Sequence, residues 1–184
     1  ETAKLIRAFT SEIIEILRDD DNLREIGIRG DCVYAIYTTP LKTDVTTCAD
    51  KTFYINTYLN MLNKMLVNEG KTVFKAGIGM ATSQELVIKA GRQHTGINSK
   101  VWIGDAVTRA SNLSSLGQSS LTSDRLFFSK YSYDNFITKL KDRNVGKDVD
   151  SWFTKHQDGD GNVSYHADIV KIEYNNWIDS DMDL

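Results

Sequence analysis

A chain of 184 residues, 41% hydrophobic and 26% charged, has the make-up of one soluble globular domain with a sizeable core. Its net charge of −3 argues against a general nucleic-acid or membrane-surface binder, yet a nucleotide needs only a few local cations. No run of about 18 apolar residues is present and no signal peptide opens the sequence, so we expect a cytoplasmic protein with Cys32 and Cys48 as reduced thiols.

Leu5, Ile6, Phe9, Ile13, Ile16 and Leu17 recur at three- and four-residue spacing and predict an amphipathic helix over 1–19. Two strand-like runs follow, 23–28 and 32–38, separated by Arg29-Gly30-Asp31, which reads as a β-hairpin. Residues 39–47 read as a loop, and a long helix fits about 49–69 with Gly70 as its stop. Strands are predicted over 72–82, 84–90 and 101–104, with a polar loop at 91–99. Asp105 reads as the cap of a helix reaching Ser115. A short strand is expected at 119–123 and helix over most of 124–141. Two last strands, 151–156 and 163–173, flank the turn Asp158-Gly159-Asp160-Gly161-Asn162. The order predicts an α+β fold, an antiparallel sheet with helices packed on it.

Two segments carry candidate chemistry. Ile28-Arg29-Gly30-Asp31 sets a carboxylate at a hairpin tip, where a hard cation such as magnesium or manganese finds an oxygen ligand; on the local sequence alone, a plain turn aspartate is the favoured reading. Trp102-Ile103-Gly104-Asp105-Ala106-Val107-Thr108-Arg109-Ala110-Ser111-Asn112-Leu113 enters a helix through glycine and offers free N–H groups to an anion. Thr108 and Asn112 share a face there, flanked by Arg109. The same run also reads as an ordinary amphipathic helix with Val107, Ala110 and Leu113 inward.

Gly30-Asp31, then Ala76-Gly77-Ile78-Gly79, then Ile103 to Leu113 resemble, in order and spacing, the catalytic domain of class III adenylyl and guanylyl cyclases. The resemblance covers roughly residues 1–125. It implies a ferredoxin-like sheet, a head-to-tail dimer with sites between protomers, and two Mn²⁺ or Mg²⁺ ions held by two aspartates. One aspartate maps to Asp31; the other is expected on a strand before residue 1, so residues 1–184 are expected to form a single cyclase domain lacking its first strand. The family's asparagine and arginine positions hold Thr108 and Asn112, leaving Arg109 and Arg92 as the nearest cations. The positions that read adenine hold Gly27 and Val101, neither of which hydrogen-bonds a base edge.

The chain is thereby most similar to the bacterial pyrimidine cyclases of Pycsar anti-phage systems. The implied activity converts UTP or CTP to the 3′,5′-cyclic monophosphate, a second messenger read by a separate effector. The rival reading is an inactive cyclase-homology module for dimerisation. A diguanylate cyclase fits Gly30-Asp31-Cys32-Val33 poorly. The 158–162 run reads as a turn rather than a calcium loop, His94, His156 and His166 lack zinc spacing, and Trp152 and Trp177 read as packing residues. Lys171 falls near the family's phosphate-binding lysine on an expected closing strand at 169–172.

Overall fold

The computed structural model describes residues 2–91 and 98–182. Helix α1 (Thr2–Arg18) leads into the hairpin β1 (Leu23–Arg29) and β2 (Cys32–Tyr37), as the sequence implied. Helix α2 (Lys42–Asn68) begins earlier than expected. Its threonine-rich start reads as loop, but the Asp44 carboxylate accepts the Leu41 N–H at 2.9 Å. Thr46 and Thr47 return their hydroxyls to carbonyls one turn back, and Val45 and Ala49 are buried.

Strand β3 (Ile78–Met80) is shorter than predicted, because Asn63 of α2 brackets the Phe74 backbone, accepting its N–H and donating to its carbonyl. The ribbon β4 (Leu86–Gly91) and β5 (Asn98–Ile103) follows, then α3 (Ala106–Ser114). The predicted strand at 119–123 is instead a run of turns. The strand there is β6 (Leu126–Ser129), inside a span expected to be helical; α4 (Lys130–Arg143) begins directly after it. Leu126, Phe127 and Phe128 are 0% exposed. A strand covered on both faces shows no apolar–polar alternation, which is why it read as helix.

A 3-10 turn at Asp150–Trp152 precedes β7 (Thr154–Gln157) and β8 (Val163–Ala167), joined by the expected turn. The closing strand expected at 169–172 is absent; the chain turns into α5 (Ile172–Asp179). Asn56 of α2 causes this departure, donating to Asp168 at 2.9 Å and to the Ile169 carbonyl at 3.0 Å, which lifts the chain off the ladder.

The strands form a sheet in the order β3-β6-β8-β7 and two separate ribbons, β1-β2 and β4-β5. The architecture is α+β, as expected, with one parallel pair, β3 with β6. One core cluster lies between the sheet and helices α2 and α4, around Phe53, Phe128 and Phe136. A second lies between α1 and α2, around Phe9, Ile13 and Leu59. Burying a side chain of this size contributes about 1.5–3 kcal/mol. Val33 of β2 and Ile78 of β3 both pack on the second cluster, yet among the described residues no ladder joins the two strands.

Candidate active site

Helix α3 carries three of the four residues singled out for chemistry, and it lies directly on β3. A Cβ at Gly79 would sit 2.0 Å from the Ala110 carbonyl oxygen, so only glycine there lets the helix approach this closely. Leu113 faces inward, while Thr108, Arg109 and Asn112 are exposed together. Val107, expected inside, is 39% exposed.

The cap of α3 is not the one the sequence suggested. Asp105 sits at the N-cap with helical φ −92° and ψ −17°, and its side chain makes no capping bond. A capping side chain needs extended backbone to reach back. Glu85, just before β4, takes the role: its Oε1 accepts the Ala106 N–H at 2.8 Å and the Ser83 hydroxyl. Nothing in the sequence signals this contact, which spans 21 residues.

Asp31 is exposed beside Gly30, whose φ of +63° makes the hairpin tip. Among the described residues no hydrogen bond or ion pair joins Asp31 to Thr108, Arg109 or Asn112, and no group of three His, Cys, Asp or Glu side chains is placed to hold a metal ion. One exposed carboxylate does not make a magnesium site by itself. Arg92 and His94 lie outside the described residues. Cys32, next to Asp31, has its thiol pushed up, first by burial and then by the Asp31 charge.

Gly27 and Val101, the positions expected from the resemblance to face a base, sit in defined surroundings. Gly27 and Tyr34 are cross-strand partners, and a Cβ on Gly27 would lie 2.7 Å from the Tyr34 ring. The Tyr34 hydroxyl donates to Glu25 Oε1 at 2.8 Å, and that hydrogen bond raises the phenol above its usual range. The other Glu25 oxygen accepts the Trp102 indole N–H at 2.7 Å, tying the Asp31 hairpin to β5. The register of the hairpin would have exposed the Gly27–Tyr34 pair to sequence reasoning; the Trp102 partner had no such signal. Val101 belongs to an apolar face of the β4-β5 ribbon with Leu86, Ile88 and Ile103, which are 38–61% exposed.

Lys171 is not on a strand. Its Nζ meets Asp50 Oδ1 at 2.7 Å and lies 4.7 Å from the centre of the Tyr54 ring, which occupies the charge suggested for phosphate. His166 Nδ1 pairs with Asp124 at 2.6 Å and its ring stacks on Phe127, a packed role as expected.

No family model matches the chain. It is 44% identical over 182 residues to a protein of Treponema porcinum named uridylate cyclase, covering 99% of this chain and 60% of that one. A uridylate cyclase of Gulbenkiania mobilis is 29% identical over 180 residues, covering 95% and 70%. The chain thus spans about three-fifths of the first relative's length. Among solved structures, the guanylyl cyclase Cya2 superposes with a TM-score of 0.66 at 16% identity, covering 94% of this chain and 83% of that one. A bacterial light-regulated adenylyl cyclase gives 0.68 at 16% identity, covering 98% and 50%. The chain thus shares the fold of solved nucleotidyl cyclases and is similar along nearly all its length to two proteins named uridylate cyclase. In this chain the small-residue strand β3 serves as the bed for α3, and the Gly30-Asp31 hairpin and α3 occupy separate, exposed places.

Proposed function

We propose that this cyclase domain converts UTP, or alternatively CTP, to its 3′,5′-cyclic monophosphate and pyrophosphate. The observation that carries the base preference is the Tyr34 ring over Gly27. Where a purine reader needs a long polar side chain, this domain has none, and an aromatic ring takes up the space. The relatives named uridylate cyclase support the same reading.

In the proposed reaction the ribose 3′-oxygen attacks the α-phosphorus in line, and pyrophosphate leaves. Thr108 and Asn112 hydrogen-bond the ribose and the transferring phosphate, and Arg109 supplies positive charge beside them. Asp31 would be one ligand of a divalent ion, Mn²⁺ or Mg²⁺, which when bound would neutralise charge on the phosphates. The apolar ribbon face at Leu86, Ile88, Val101 and Ile103 supports a head-to-tail homodimer, with Asp31 of one protomer facing α3 of the other. The product is a cytoplasmic second messenger in anti-phage defence, read by a separate effector. No helix among the described residues is long and apolar enough to cross a membrane.

The test is product analysis by mass spectrometry. The natural full-length protein is given Mn²⁺ and equal ATP, GTP, CTP and UTP, beside an Asp31→Ala control. A cyclic pyrimidine nucleotide that disappears in the control is the expected result. Cyclic AMP alone would overturn the base assignment. Silence on all four substrates would favour the inactive module, a reading for which Asn112 in an arginine position speaks.

A further inference from the structure

We infer that Glu85 is a positioning residue of this reaction: it locks the start of α3 to the β4-β5 ribbon, and so sets the angle at which Thr108, Arg109 and Asn112 are presented. The inference rests on the cyclase reading above. Three observations carry it. First, the Ala106 N–H, in the first turn of α3, is bonded by a side chain from a different element rather than by its own N-cap residue. A local cap would settle the helix end alone; this one fixes the helix against the ribbon. Second, Gly104 makes room for the carboxylate, since a Cβ there would lie 2.2 Å from Glu85 Oε2. Gly104 does not have positive φ, so close approach is the reason for glycine at that position. Third, Glu85 Oε2 is buried with no hydrogen-bond partner among the described residues. Leaving a carboxylate oxygen unpaired is a cost that capping by the Asp105 side chain itself would have avoided.

The rest of α3 is held differently. Its middle and far end rest backbone-to-backbone on the β3 segment: a Cβ at Gly79 would lie 2.0 Å from the Ala110 carbonyl oxygen, and one at Gly77 2.0 Å from that of Ser114. Glu85 is therefore the side chain that decides how the N-terminal half, with Thr108 and Arg109, is oriented.

The experiment compares wild type, Glu85→Gln, Glu85→Ala and Gly104→Ala by steady-state kinetics on UTP and CTP and by amide hydrogen exchange. Glutamine keeps an acceptor for Ala106 and should hold kcat within about threefold. Glu85→Ala and Gly104→Ala should each lower kcat by about 10- to 100-fold, as small misplacements of catalytic groups do, with KM little changed. The Ala106 amide should exchange faster in both, while amides of the Phe53 and Phe128 core stay protected. Wild-type kcat in Glu85→Ala would overturn the inference, as would failure of glutamine to rescue, or loss of protection throughout the core. A wild-type protein that makes no cyclic nucleotide sinks the reaction reading instead; the exchange at Ala106 then decides separately whether Glu85 holds the helix.

Discussion

Gly27 and Tyr34 face each other across the first hairpin, and the phenol occupies the space that any side chain at 27 would need. Shortening Tyr34 to alanine should open that space. We expect the preference for pyrimidine over purine triphosphates to fall by about tenfold, the scale on which pocket size alone discriminates. Competition assays with paired triphosphates would read this, and an unchanged ratio would remove Tyr34 from base selection. The two thiols also differ. Burial pushes Cys48 up to about 12; the Cys32 thiol is raised as well, but it is exposed at the hairpin while Cys48 is half-buried. A thiol reacts as its thiolate, so at pH 8 a disulfide reagent should modify Cys32 well before Cys48 in the folded protein.

At the scale of elements, α2 is the beam to which the others attach. Asn56, 0% exposed, accepts from Arg125 Nη1 at 2.9 Å while donating to Asp168 and Ile169. Burial lowers the Arg125 pKa, but a guanidinium remains cationic, so its charge must be met by these partners. Asn56→Ala should cost about 2–3 kcal/mol, measured by urea denaturation, because it removes one of the two amide acceptors of the buried Arg125, the other being Asn60, and leaves Asp168 and the Ile169 carbonyl without their donor. The packing of α3 on β3 depends on the bare backbone at Gly79. Gly79→Ala should push the helix away, costing about 1–3 kcal/mol in stability and abolishing turnover together. Retained activity with lowered stability would mean that α3 tolerates displacement.

At the scale of the whole molecule, the exposed ribbon face bears on the proposed assembly. The β4-β5 ribbon turns Leu86, Ile88, Val101 and Ile103 to solvent on one face. In a head-to-tail dimer, Ile103→Asp should shift sedimentation from dimer to monomer and reduce activity, with thermal stability of the α2 core unaffected. Mixing inactive Asp31→Ala with inactive Thr108→Ala/Asn112→Ala should restore turnover, since the mixed dimer rebuilds one complete site. A mixture that stays silent would argue that each protomer works alone.

The sequence alone determined the elements whose signal is local. The amphipathic period of α1, the Arg29-Gly30-Asp31 turn and the Asp158–Asn162 turn are written in consecutive residues. The family likeness was legible for the same reason, because its three motifs are short and ordered. Tertiary structure decided the rest. Strand β6 is buried on both faces and so loses its alternation, α5 replaces a strand because Asn56 bonds the backbone more than a hundred residues away, and α3 is capped by Glu85 rather than by its neighbour Asp105. Each of these depends on a partner distant in sequence. A contact of that kind leaves no periodic trace in either segment, because the energy that selects it belongs to the pair.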